Sequence, residues 1–205
     1  MTTRRKTKFI LAGGFAGRSP DGGAAFCREV TAGLSAPVRV CECLFALPLE
    51  NWHDSLSADR EFFRRALPDV PLEFVRADQS SFLRQIEESD VIYFRGGSTE
   101  KLMRTLDSID GWSDAIHGKT VVGSSAGAYM LSRHYLDMNN PGDLLCGFGL
   151  VPVTLVAHYR SSAATDGYIA RKLPDWDEVD SEMSRMAGEA QVLKLREGEF
   201  CTYYL

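Results

Sequence analysis

Val121-Val122-Gly123-Ser124-Ser125-Ala126-Gly127-Ala128-Tyr129-Met130 (residues 121–130) begins as a strand and ends as a helix. The β-branched run from Thr120 stops at Gly123, and an alanine-rich, helix-compatible segment follows directly. This is the strand, tight turn and helix of a nucleophile elbow, G-x-S-x-G, with Ser125 at its centre. A serine on so sharp a turn projects its hydroxyl clear of the backbone, and Gly123, Ala126 and Gly127 keep the neighbourhood small. The first N–H groups of the helix, and the positive end of its dipole, would face any oxyanion formed beside Ser125. A Gly-rich turn between strand and helix occurs in many α/β proteins, so the motif needs support from the rest of the chain.

Composition sets the frame for that support. The chain has 205 residues, 44% of them hydrophobic and 25% charged, enough for one globular domain with a substantial core. A net charge of -5 argues against nucleic acid or an anionic membrane as a partner. After Arg4-Arg5-Lys6 only Phe9-Ile10-Leu11-Ala12 precede two glycines, too short for a signal peptide or a membrane span. A cytoplasmic setting is expected. The five cysteines are odd in number and lack C-x-x-C spacing; Cys41 and Cys43 read as small apolar groups on one strand face. No metal motif is present, so no required metal is expected.

Working upstream from the elbow, strands and helices alternate. Lys8–Ala12 is a short apolar strand before Gly13-Gly14, and residues 24–34 suit a helix. Val38–Cys43 alternates as a strand. Residues 47–54 read as a loop, followed by a helix with Ala58, Phe62 and Ala66 at four-residue spacing. A third strand covers Leu72–Val75, and Phe82, Leu83 and Ile86 form the apolar face of the next helix. Val91–Phe94, apolar throughout, reads as a central strand. Arg95-Gly96-Gly97-Ser98-Thr99 ends it and supplies a helix N-cap. In a parallel sheet this turn lies beside Ser125, where the N–H of Gly96 or Gly97 could complete an oxyanion hole with that of Ala126.

Downstream, residues 134–149 read as a loop crossing the sheet edge. Val153–Ala157 is a strand running into His158-Tyr159, at the same sheet edge as Ser125. A helix is expected near Trp176–Met186. Gln191–Leu195 and Phe200–Tyr204 read as two strands joined at Glu197-Gly198 in a hairpin. With no repeat or linker, residues 1–205 are expected to form a single domain.

A serine hydroxyl needs a base, and the base needs an orienting group. Of the four histidines, His53 sits in a loop, His117 precedes Gly118, and His134 follows the elbow helix. His158, where an apolar strand runs out, is the best base. Carboxylate candidates are Asp137, Asp143, Glu197 and Glu199; Glu197 lies at a strand-to-turn junction, with Asp137 next.

These features together resemble the peptidase E family of serine peptidases, the aspartyl dipeptidases to which cyanophycinase is related. The resemblance rests on DVIYF at 90–94, RGGST at 95–99, VVGSSAGA at 121–128, His158-Tyr159 and REG at 196–198. It implies a doubly wound, mostly parallel α/β sheet similar to class I glutamine amidotransferases. It also implies Ser125 as nucleophile, His158 as base and Glu197 as its partner. The base preceding the acid in the chain separates this pattern from the order in α/β-hydrolases. The implied oxyanion donors are Gly97 and Ala126, with Ser98, Tyr159, Arg160 and Arg171 as candidate substrate contacts. The implied substrate is a small peptide, in the family one with an amino-terminal aspartate, cleaved through an acyl-enzyme without a cofactor. A homodimer stays open. Ser98 stands where the family has asparagine, and residues 160–173 lack the run associated with aspartate recognition. Arg160, Arg171 and Arg95 are each available to meet an acidic side chain. An esterase or amidase on a non-peptide substrate, and an inactive ligand-binding relative, are the alternatives.

Overall fold

The computed structural model describes residues 6–136, 143–161, 174–186 and 191–205. Its first half alternates strand and helix as expected: β1 (Lys8–Ala12), α1 (Ala24–Thr31), β2 (Val38–Cys43), α2 (Trp52–Ala66), β3 (Leu72–Arg76), α3 (Phe82–Glu87), β4 (Val91–Phe94) and α4 (Thr99–Asp107). There follow α5 (Trp112–Ala115), β5 (Thr120–Ser124), α6 (Ala126–Leu131), β6 (Ser132–Leu136), β7 (Leu144–Cys146), β8 (Val151–Val156), α7 (Trp176–Met186), β9 (Gln191–Lys194) and β10 (Phe200–Tyr204).

The main sheet has the order β10-β1-β5-β4-β2-β3, with every pair parallel except β10 against β1. Parallel strands covered on both faces must be apolar on both, and β4 and β5 are buried along their whole length. The two-residue period of a strand separates the faces within β2: Val38 and Val40 join the core under α1 and α2, while Cys41 and Cys43 join the core under α3, α4 and α5. The chain is therefore wound on both sides of the sheet. The loops after β1 and β4 leave toward opposite faces and flank the end of β5, where such folds open a crevice.

Two expectations fail beyond the elbow. The stretch 134–149 is not a loop where it is described: Ser132–Leu136 and Leu144–Cys146 are strands of a second sheet, ordered β7-β6-β8-β9. β6 starts at the residue after α6, where Ser132 turns extended and its hydroxyl donates to Tyr129 O at 2.7 Å. Nor do the last two strands form a hairpin. β9 pairs with β8 in the second sheet, whereas β10 pairs with β1 in the first. The turn at Glu197-Gly198 thus carries the chain from one sheet to the other, and His158 comes from the second sheet rather than the sheet that holds Ser125. One apolar cluster, including Phe94, Tyr129, Tyr135 and Leu155, joins the two sheets.

The buried stripe of α2 is also one residue off its expected phase. Ser55, Asp59 and Phe63 face inward and Ala58 is exposed. Polarity hides the true face, because Asp59 is buried to meet Arg95, its Oδ2 lying 2.7 Å from Arg95 Nε. The helix also starts earlier than expected, at Trp52, whose indole N–H donates to Leu47 O at 3.1 Å.

Beneath Asp59 lies Glu42, fully buried in β2 opposite Tyr93. Burial, reinforced by the nearby Asp59 charge, pushes its carboxyl from 4.5 up to about 10. The folded state keeps a proton that the unfolded chain releases, so stability falls as pH rises from 4.5 to about 10. Glu42→Gln has no proton to lose and is expected to gain on the order of 2–3 kcal/mol at about pH 7–8, with little change at about pH 4. Denaturant melts at the two pH values check this, and an equal shift at both would contradict it.

Candidate active site

Ser125 directly follows β5, which runs between two parallel neighbours, and its backbone sits at φ 52, ψ -110. Such a conformation costs a non-glycine residue about 1–3 kcal/mol, so the surroundings must enforce it. Its N–H donates to Ala12 O at 3.0 Å, and its carbonyl accepts the first bond of α6, from Tyr129 N–H at 2.9 Å. The helix can lie this close to the sheet because Gly127 has no side chain; a Cβ there would fall 2.1 Å from Phe94 O.

His158 leaves the end of β8 with a left-handed backbone, φ 54, and its N–H donates to Gly13 O at 3.0 Å. Its ring is buried against Gly14, where a Cβ would stand 2.2 Å from Cε1. Nε2 lies 2.7 Å from Ser125 Oγ and Nδ1 lies 3.3 Å from Glu197 Oε1. A carboxylate at Nδ1 favours the tautomer protonated there, which leaves Nε2 free to accept the Ser125 proton.

Glu197 reaches His158 because the turn between the sheets is woven into the Gly13-Gly14 loop. Gly198 N–H donates to Gly14 O and Gly13 N–H to Glu199 O, both at 2.9 Å. Ser161 Oγ donates to Glu197 Oε1 at 2.8 Å, and Arg18 donates from Nη1 to Oε2. Burial alone would raise this carboxyl; the hydrogen bonds from Arg18 and Ser161, with the charges of Arg18 and His158, pull it below its usual value.

Gly96 packs directly against Ser125. Among the described residues, neither Gly97 N–H nor Ala126 N–H has a hydrogen-bond partner, so both can receive an oxyanion. A cavity of about 1230 Å³ opens over this group, with Phe15, Asp59, Arg95, Tyr129 and Cys146 among its walls. Ser98 also lines it, although its Oγ caps α4 by accepting from Lys101 N–H at 3.2 Å.

The remaining sequence candidates are placed elsewhere. Tyr159 and Arg160 do not line the cavity; the Tyr159 hydroxyl and the Arg160 guanidinium each lie 2.8 Å from Asp180. Arg171 and Asp137 fall outside the described residues. Asp143 is exposed, and Glu199 accepts from the Arg196 N–H. His53 and His117 are exposed, and His134 lies on β6. Arg18 and Ser161 were not anticipated: Arg18 is 179 positions from its partner Glu197, and no local pattern announces such a contact. Among the described residues, no group of three His, Cys, Asp or Glu side chains could hold a metal ion. No described helix is long and apolar enough to cross a membrane.

The profile of peptidase family S51 matches residues 62–203. No curated protein matches the chain. Among solved structures, a peptidase from an acI-B1 actinobacterium superposes with a TM-score of 0.68 at 18% identity, over 98% of this chain and 84% of that one. A protein from Listeria monocytogenes EGD-e described as a peptidase E superposes with a TM-score of 0.62 at 18% identity, over 98% of this chain and 99% of its own. At that identity the two likenesses speak for the fold.

Proposed function

The chain belongs to peptidase family S51 and is a serine peptidase of the peptidase E kind, and from that premise we propose that it hydrolyses short peptides through Ser125, His158 and Glu197. The observation that carries this reading is the 2.7 Å contact from Ser125 Oγ to His158 Nε2, with Glu197 on the other ring nitrogen. Ser125 attacks the scissile carbonyl while His158 takes its proton. Glu197 holds the imidazolium, the Gly97 and Ala126 N–H groups bind the oxyanion, and His158 returns the proton to the leaving amine. Water, activated by the same histidine, then releases the acyl group from Ser125.

An acidic side chain at the cleaved residue would meet Arg95, one of two arginines on the wall with Arg104 and the one next to Gly96, and would share it with Asp59. Five unpaired thiols suit a reducing compartment, and the reading includes a cytoplasmic setting.

Two measurements test it together. A fluorophosphonate probe is expected to label folded protein at Ser125 alone, and a dipeptide library containing Asp-Xaa and neutral members is expected to be cleaved. Labelling with turnover of simple esters but no dipeptide would replace the peptide substrate by an ester. Absence of labelling in folded protein would remove Ser125 as nucleophile.

A further inference from the structure

The carboxylate behind His158 is itself held by a side chain from the other end of the chain. Arg18 closes a short 3-10 turn, Ala16–Arg18, that follows Phe15. From there it donates to Glu197 Oε2, while its guanidinium carbon lies 4.3 Å from the centre of the Phe15 ring. That ring stands 5.7 Å from the His158 imidazole. Phe15 is held at φ 47. The four side chains therefore close a loop: imidazole to carboxylate, carboxylate to guanidinium, guanidinium over the phenyl ring, and phenyl ring against the imidazole.

On the assignment of Ser125, His158 and Glu197 proposed above, we infer that Arg18 is the positioning residue of the site, gripping the outer oxygen of Glu197 so that the inner one stays on His158 Nδ1. Glu197 stands on a turn between two sheets, and a carboxylate fixed by one oxygen can rotate away from the imidazole. With Oε1 shared by His158 and Ser161 and Oε2 taken by Arg18, that rotation is stopped. A guanidinium suits the task because its plane can stack on Phe15 while its edge donates to the carboxylate.

Charge gives the role a signature that packing lacks. Arg18 and His158 are charged or titratable groups whose charges act on Glu197. Of its charged neighbours in sequence, Glu199 turns to the Arg196 N–H and Arg196 is exposed. Arg18 favours the ionised carboxylate and at the same time offsets its pull on a proton at His158. Removing the positive charge leaves the Glu197 carboxylate pulling unopposed on a proton at His158, which makes the base available only at higher pH. The Arg18 side chain is 47% exposed, so solvent moderates the effect.

The test is the pH profile of dipeptide kcat/KM in the parent, Arg18→Gln and Arg18→Lys. The acidic limb in Arg18→Gln is expected to move to higher pH by about half to one unit, a loss of roughly 3–10-fold on the acidic side that narrows toward the alkaline plateau. Arg18→Lys restores the charge and is expected to return the limb most of the way. A limb that stays in place in Arg18→Gln, with at most a uniformly lower plateau, overturns the inference while the assignment of the three residues stands. A parent that neither cleaves dipeptides nor labels at Ser125 overturns that assignment itself.

Discussion

Ser125→Ala is expected to lower kcat/KM by about 10⁴–10⁶-fold while the protein unfolds at the temperature of the parent. The two halves of that expectation have separate causes. Removing Oγ removes the atom proposed to form the acyl-enzyme, so that on this reading the Gly97 and Ala126 amides and the cavity supply only a residual rate. The fold is spared because the strained backbone at φ 52 is held by the Ala12 and Tyr129 hydrogen bonds, which an alanine keeps. Alanine is no worse than serine in that conformation, and the small side chain leaves the packing of α6 on the sheet unchanged. Steady-state kinetics with a cleaved dipeptide, beside a thermal melt, checks both halves. Retention of more than about one per cent of the activity would move the nucleophile elsewhere.

Glu197→Gln is the second large loss, about 10³–10⁴-fold in kcat at neutral pH with KM little changed. The amide has the shape of the carboxylate but one acceptor where the site needs two. If its oxygen meets His158 Nδ1–H, its NH2 is turned toward the Arg18 guanidinium, donor against donor. If the oxygen turns to Arg18, the NH2 faces Nδ1 and favours the tautomer protonated at Nε2, which cannot take the Ser125 proton. In the parent the carboxyl is held below its usual value and stays ionised through the neutral range, so the defect is present at any ordinary assay pH. Burst kinetics distinguishes this defect from a binding defect, since acylation itself should slow. A variant with parental kcat would exclude Glu197 as the orienting group.

Much of the architecture was open to reading because parallel strands leave a strong trace. Val38-Arg39-Val40-Cys41 shows its two faces by alternation, and Val91–Phe94 shows its burial by having no polar residue at all. The second sheet left no comparable trace. β6 follows α6 without a turn residue, and Ser132-Arg133-His134 looks like a surface segment because its pairing with β8 is decided at long range. Glu197-Gly198 is a turn, as its residues suggested. Which strands it separates depends on partners far away in the chain, β8 on one side and β1 on the other. The contacts of the site divide in the same way. Ser125 is announced by its own neighbours, His158 and Glu197 by their place at strand ends. Arg18 and Ser161 matter only through contacts that exist once the sheets have met.

Among the described residues, Phe15, Ser125, His158 and Arg160 are the non-glycine positions with left-handed backbone, and three of the four touch or form the Ser125–His158 contact. Heat resistance and turnover are therefore set against each other at those three places. A breeding scheme that screened variants only for survival at high temperature would drift toward glycine there, and would finish with a sturdier scaffold emptied of its chemistry.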